Sequence, residues 1–229
     1  MKKRYLKLIQ EDNKLHEIIK TPEGQAAYWE ELKLQVLESD LAGLLEHSLG
    51  VSGHIIECGV WRGRSIKLMS HVIKSHASRK RVFACDSFEG FGENVLTTTD
   101  VKLFRPMNRL KRKFTAASDV PEKLGEFFKL YEVDGVCVQG FFKESLPTLD
   151  PKNKYCFVHI DCDAYTSHHD CLEYIYPRIT SGGCIVFDDY GSRAWPGAKK
   201  AVDEFFSDKP EKPQYKYTRK YPAWHIIKE

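Results

Sequence analysis

Three aspartates at the ends of two strand-like segments are the residues of this sequence best suited to chemistry. Asp161 follows the apolar run 157–160, and Asp188 and Asp189 follow the apolar run 184–187. A stretch of helical spacing separates the runs, so parallel strands would end at the same sheet edge, where open α/β folds bind ligands. Clustered carboxylates repel one another unless a cation lies among them, and Mg²⁺ accepts such oxygen ligands. The sequence therefore predicts a metal site formed by Asp161, Asp188 and Asp189, and indicates a metal-assisted enzyme.

The turn after the first predicted strand has the composition of a nucleotide-binding turn. Glu57 lies two positions before Gly59, and Gly63 follows at the predicted helix start. Glycine at these positions lets the backbone approach a ligand and keeps the turn tight. The spacing is not the GxGxxG of dinucleotide enzymes, and turns of this kind also occur without a ligand. A carboxylate at Glu57 suits a ligand that carries an amino group better than it suits a pyrophosphate.

The second predicted strand ends at Asp86, which is the position where a carboxylate binds ribose hydroxyls. The alternative is that Asp86 only caps a turn. Acidic turns without a phosphate-binding glycine loop indicate an adenosine ligand without phosphates, and S-adenosylmethionine fits that description. The predicted cofactor-binding residues are Glu57, Gly59, Val60, Trp61, Ser65, Asp86, Ser87, Gln139, Gly140, Phe141 and Asp161.

Five segments of the chain resemble the macrocin O-methyltransferase (TylF-like) family in order and spacing. They are residues 56–63, 86–90, 157–165, 188–190 and 197–205. The resemblance implies a class I methyltransferase fold and Mg²⁺-dependent methylation of a hydroxyl, often on a sugar of a natural product. It also implies that Asp161, Asp188 and Asp189 bind the metal, that Asp161 is a candidate general base, and that Glu57, Gly59 and Asp86 hold the cofactor. The family pattern fades after Phe206.

The implied reaction agrees with the chemistry of these residues. A bound divalent ion lowers the pKa of an alcohol and fixes its oxygen, and a carboxylate takes the proton. Two competing functions are an inactive binding protein with the same fold and a nicotinamide-dependent oxidoreductase, the latter disfavoured by the missing glycine pattern. His159 is interpreted as a core or substrate-facing residue rather than a metal ligand, and Asp163 as a neighbour of the metal site or of the cofactor.

The elements that must position these residues alternate regularly along the chain. Strands are predicted at 54–58, 81–85, 133–138, 157–160 and 184–187, and helices at 64–76, 121–131, 167–176 and 197–206. Two short strands at 215–217 and 224–227 would form a terminal hairpin. Repeated β-α units imply a parallel sheet with helices on both faces. We therefore expect a Rossmann-like, seven-stranded, mostly parallel sheet with an N-terminal helical extension.

Composition limits the domain organisation and the partners. Residues 1–50 are predicted to be a helical lid or a homo-oligomer interface, residues 51–229 the methyltransferase domain, and 92–120 an insertion or cover. The 35 basic and 32 acidic residues leave a net charge of +3, which does not indicate a nucleic-acid partner. Seven cysteines, mostly in apolar runs, favour free thiols in a reducing compartment. Without a long apolar stretch, we expect a cytoplasmic protein that binds a small hydroxylated substrate and no membrane.

Overall fold

The computed structural model describes residues 19–92, 95–100 and 118–229. The strands in this part of the chain are β1 (His54–Cys58), β2 (Val82–Asp86), β3 (Gly135–Gln139), β4 (Tyr155–Ile160), β5 (Ile179–Phe187), β6 (Gln214–Lys216) and β7 (Ala223–Ile227). They form one sheet in the order β3-β2-β1-β4-β5-β7-β6. The first five strands of this order run parallel, and β7 is antiparallel to both β5 and β6.

Helices cover both faces of this sheet. They are α1 (Pro22–Glu38), α2 (Asp40–Ser48), α3 (Arg64–Ser75), α4 (Val120–Leu130), α5 (Phe142–Ser145), α6 (Tyr165–Ile175) and α7 (Pro196–Phe205). Ile55 and Phe157 belong to one hydrophobic cluster, whereas their strand neighbours Ile56 and Val158 belong to another. Because side chains alternate between the faces of a strand, the two clusters are the two layers of the core.

The predicted fold class is confirmed: the sheet is mostly parallel, has seven strands within the described residues, and ends in an antiparallel hairpin. The largest difference concerns β5, which begins at Ile179 rather than at residue 184. Its early residues include two glycines and are partly exposed, so they lack the apolar run on which the prediction depended. Each helix in the described part of the chain is too short or too polar to cross a lipid bilayer.

The helices before β1 pack into the first core cluster. Leu32 and Val36 of α1 and Leu45 of α2 are buried there, and Thr21 caps α1 by accepting a hydrogen bond from the backbone N–H of Gly24 at 3.1 Å. The boundary at residue 50 and the role of this extension as a lid or an interface stay predictions. Residues 1–18 and most of the proposed cover at 92–120 lie outside the described residues.

A buried carboxylate ties α2 to the chain just before β7. Asp40 Oδ2 accepts hydrogen bonds from the backbone N–H groups of Thr218 and Arg219, at 2.9 and 3.1 Å, and Oδ1 accepts one from the Thr218 hydroxyl. Burial opposes the charge of Asp40, but these hydrogen bonds outweigh it and hold the pKa of the carboxyl below its usual value. The ionised side chain therefore helps to hold α2 against the segment before β7.

Asp40→Ala should lower the free energy of unfolding by about 1–3 kcal/mol, because it leaves buried N–H groups without partners. A carboxyl whose pKa is depressed on folding stabilises the protein above its unfolded pKa, and that contribution is lost as the pH falls through the folded pKa. The difference between wild type and variant should thus shrink below about pH 4. Denaturant unfolding at several pH values would test this, and equal stability at pH 7 would contradict it.

Candidate active site

The ends of β4 and β5 place the first two predicted metal ligands side by side. Ile160 pairs with Phe187 in the parallel register, so Asp161 and Asp188 are the next residues on adjacent strands. The pairing continues past the strands, because Asp188 N–H donates to the Ile160 carbonyl at 3.1 Å. On the other side, Asp161 N–H donates to the Cys58 carbonyl at 2.8 Å. Asp161 therefore lies between the glycine turn after β1 and the acidic pair after β5.

A cavity of about 300 Å³ opens at this edge of the sheet. The predicted site residues that line it are Gly59, Trp61, Asp86, Ser87, Gly140, Phe141, Asp161, Asp188 and Asp189. The structure thus brings both predicted groups, the metal-ligand acids and the cofactor residues, to one cavity.

Four predicted cofactor residues are not among the residues that line the cavity. Glu57 and Val60 are buried beside the glycine turn, and Ser65 lies half-buried in the first turn of α3. Gln139 ends β3, where it pairs with Asp86, and its side chain is exposed. These residues lie next to the predicted site without forming its wall.

The acids of the cavity are close enough to affect one another. A ring nitrogen of His159 and one carboxylate oxygen each of Asp161 and Asp188 all lie within 4.8 Å of one another. Burial, followed by the charges of Asp188 and Asp189, raises the pKa of Asp161 well above its usual value. Burial and Asp188 likewise raise the pKa of Asp189 to about 6. A cation among these oxygens would relieve both the repulsion and the loss of solvation, so the donor set fits a hard divalent ion.

Asp189 and Asp163 form the outer part of the same acidic region. Asp189 does not belong to the close group of His159, Asp161 and Asp188. Instead its Oδ2 accepts a hydrogen bond from the backbone N–H of Asp163 at 3.2 Å. Asp163 has a φ of 59°, and its carboxyl has a pKa raised by burial and by Asp189. The region therefore holds four aspartates, two of which lie in the close group.

Asp86 holds the glycine turn from the neighbouring strand. Its Oδ2 accepts hydrogen bonds from the backbone N–H groups of Val60 at 2.7 Å and Trp61 at 2.9 Å. Its Oδ1 accepts one from the Phe88 N–H at 2.8 Å. Asp86 therefore does stabilise turns, as the alternative interpretation held, and it also lines the cavity. These three backbone hydrogen bonds leave about one of the four lone-pair sites of the carboxylate, on Oδ1, for a ligand, so the two roles are compatible.

Beneath the cavity, Glu57 and His159 form a buried pair. The two residues are register partners on β1 and β4, and His159 Nδ1 lies 2.6 Å from Glu57 Oε1. Burial opposes the charge of His159, but Glu57 outweighs it and raises the histidine's pKa. The second oxygen, Glu57 Oε2, makes no hydrogen bond to another described residue, although the nearby Ser65 hydroxyl favours the ionised form.

Several residues of the cavity wall were missed by the sequence reasoning. Phe91, which the sequence did not single out, lies beside Trp195, and the two form an aromatic wall of the cavity with ring centroids 5.8 Å apart. Thr166, Ser167 and Asp170 also line the cavity. The helix that carries these three begins at Tyr165 rather than at 167, and Asp170 lies four residues after Thr166 and three after Ser167, so it shares a helix face with each of them.

An aspartate from the segment 95–100 fixes the start of α6. Asp100 Oδ1 accepts a hydrogen bond from the Tyr165 N–H at 2.7 Å, and its Oδ2 accepts one from the Thr97 N–H at 2.7 Å. Val95 of the same segment lines the cavity. This described part of the 92–120 region therefore lies at the site.

The sequence of this chain is similar to those of several known proteins. The family model for macrocin-O-methyltransferase (TylF) matches residues 21–213. The mycinamicin III 3''-O-methyltransferase of Micromonospora griseorubida is 31% identical over 163 residues, which are 68% of this chain and 61% of that protein. The demethyldecarbamoylnovobiocin O-methyltransferase of Streptomyces niveus is 33% identical over 162 residues, 68% of this chain and 58% of that protein. The chain thus spans about three fifths of the length of these two relatives.

A crystal structure of a calicheamicin methyltransferase superposes with a TM-score of 0.75 and covers 96% of this chain and 91% of that one. At 20% sequence identity this likeness shows the fold alone. The family model, in contrast, covers most of the sequence, including the glycine turn and all of the aspartates after β4 and β5. The chain belongs to the TylF macrocin O-methyltransferase family.

Proposed function

We propose that this protein transfers the methyl group of S-adenosylmethionine to a hydroxyl of a small molecule, a sugar or a glycosylated natural product, with a divalent ion such as Mg²⁺ assisting. The observation that carries the proposal is that Asp161 and Asp188 converge beside the glycine turn in one cavity. Two relatives whose names specify O-methylation of mycinamicin III and of demethyldecarbamoylnovobiocin support the substrate class.

The cofactor would bind along the glycine turn. Gly59 has no side chain to obstruct the ligand, and Asp86 lies at the neighbouring strand end, where it can accept hydrogen bonds from ribose hydroxyls. Trp61, Gly140 and Phe141 line the same part of the cavity and offer an apolar surface to the adenine. Val60 belongs to that turn, Ser65 lies just after it in α3, and Gln139 pairs with Asp86, so these three residues adjoin the proposed cofactor site.

The metal would be held by Asp161, Asp188 and Asp189, whose oxygens are the ligands that Mg²⁺ prefers. A divalent ion held there would supply Lewis acidity, which lowers the pKa of a nearby hydroxyl. Asp161 lies nearest the glycine turn and accepts the proton of the hydroxyl. The aromatic wall of Phe91 and Trp195 excludes water and packs against the acceptor. Alignment of the reacting atoms accounts for the rest of the rate acceleration.

Removal of divalent ions should abolish methyl transfer, and added Mg²⁺ should restore it, because the acidic cluster cannot activate the hydroxyl without a cation. Methyl uptake from labelled S-adenosylmethionine is measured on a panel of glycosides and phenols, first in chelator and then with Mg²⁺ in excess. The comparison tests the prediction, and the Mg²⁺ measurements identify the acceptor. Full activity in chelator would contradict metal assistance.

A thermal-shift control separates loss of catalysis from loss of the cofactor site. S-adenosylhomocysteine should stabilise the protein with or without chelator, by about 2.7 kcal/mol at 100 times its dissociation constant. A shift with NAD in place of S-adenosylhomocysteine would indicate an oxidoreductase. A shift with S-adenosylhomocysteine but no turnover of any acceptor would point to a binding protein.

A further inference from the structure

The buried pair Glu57–His159 is not used by the mechanism above. Both side chains are almost entirely inaccessible, and neither lines the cavity. Burying an acidic and a basic group costs free energy that their attraction repays only with good geometry. Apolar side chains would serve as well if packing were the only role of the pair. The position of the pair directly below the acids therefore indicates a function other than packing.

The geometry of the pair fixes the orientation of the imidazole. Glu57 Oε1 lies 2.6 Å from His159 Nδ1 and forms a hydrogen bond with it, so Nε2 is the ring nitrogen that can bind another partner. In the part of the chain that the structure describes, Nε2 makes no hydrogen bond. A ring nitrogen of His159 also lies within 4.8 Å of carboxylate oxygens of Asp161 and Asp188. When a carboxylate accepts the proton on Nδ1, Nε2 is the nitrogen that can bind a metal, and an ion that binds there displaces any proton that Nε2 carries.

Resting on the metal-dependent function proposed above, we propose that Glu57 positions His159 so that Nε2 serves as a nitrogen ligand of the ion held by Asp161 and Asp188. Glu57 is then a positioning residue that acts on the metal through the histidine. This differs from the sequence-based interpretation, in which Glu57 holds the cofactor and His159 is a core or substrate-facing residue.

A nitrogen ligand changes which ion the site favours. Mg²⁺ takes oxygen ligands almost exclusively, whereas Mn²⁺, Fe²⁺ and Co²⁺ accept imidazole together with carboxylates. The set of His159, Asp161 and Asp188 is therefore better matched to these ions than a set of three aspartates would be. We expect tighter binding of Mn²⁺ than of Mg²⁺, and a loss of most of this preference when the histidine is removed.

Pulsed electron paramagnetic resonance of the full chain loaded with Mn²⁺ tests the ligand directly. The wild-type protein should show the coupling of a directly bound nitrogen, and labelling its histidines with ¹⁵N should change that coupling. His159→Ala should abolish the signal, while the control His169→Ala, an exposed histidine on α6, should retain it. Mn²⁺ bound without nitrogen coupling in the wild type would overturn the inference and leave the proposed metal-dependent function intact. Absence of Mn²⁺ binding would overturn both.

Glu57→Gln tests the positioning role without a large change of volume. Loss of a carboxylate that orients a metal-binding histidine lowers metal affinity by about 10- to 100-fold. We expect that loss for Mn²⁺ by calorimetry, with a native circular dichroism spectrum and an intact shift with S-adenosylhomocysteine. Unchanged Mn²⁺ affinity together with lost cofactor binding would refute the positioning role and show that Glu57 acts in cofactor binding instead.

Discussion

Asp161→Asn should lower the rate of methyl transfer by roughly 10²–10⁴-fold, while the protein still binds S-adenosylhomocysteine. The substitution keeps the shape of the side chain and the backbone hydrogen bond from residue 161 to the Cys58 carbonyl. It removes the carboxylate that lies between the glycine turn and Asp188, so a ligand of the proposed ion and the proposed proton acceptor are lost together. The glycine turn itself, held by Asp86, is unaffected.

Stability provides an independent readout for the same variant. Burial and three neighbouring aspartates disfavour the charge of Asp161 and raise its pKa, so a neutral amide should leave the free energy of unfolding unchanged or raise it. Calorimetric titration with S-adenosylhomocysteine measures cofactor binding, and a methyl-transfer assay measures catalysis, so the two can be told apart. Glu173→Gln, on the exposed surface of α6, is the matched control and should keep full activity. Loss of cofactor binding in Asp161→Asn would contradict the assigned role.

The architecture could be predicted because its signals are local. Each buried strand of a parallel sheet is a short apolar run, and each crossover helix has its own period, so β1 and α3 begin at the predicted residues. The acids were found for the same reason, since residues that follow such runs must lie at the carboxyl edge. The early part of β5 carries no apolar run and was missed.

The Glu57–His159 pair could not be predicted in the same way. Whether Glu57 faces the cofactor or a neighbouring strand depends on the register between β1 and β4, which are 102 residues apart for this pair. No local pattern encodes that register. The same holds for Asp86, whose contacts to Val60 and Trp61 cross from one strand end to another and combine two roles that the sequence presented as alternatives.

Gly59→Ala should produce the largest loss of stability among single substitutions at the cavity. Gly59 has a φ of 93°, and a Cβ added there would lie 2.0 Å from the carbonyl oxygen of Asp161. The clash is with backbone, so no side-chain rotation relieves it, and β1 and β4 would have to separate at the edge of the cavity. We expect a loss of about 3 kcal/mol or more, from the strained backbone and the overpacking together, and no binding of S-adenosylhomocysteine.

Gly125→Ala is the matched control, because it adds the same methyl group where space is open. Gly125 lies in α4, and a Cβ added there meets no heavy atom within 4 Å. Alanine in a helix interior is favoured over glycine by roughly 0.5–1 kcal/mol, so this variant should be slightly more stable than wild type. Denaturant unfolding of both variants should therefore give changes of opposite sign. The prediction would be contradicted if Gly59→Ala were as stable as wild type and still bound S-adenosylhomocysteine. That result would mean that the turn after β1 lies farther from Asp161 than in the structure.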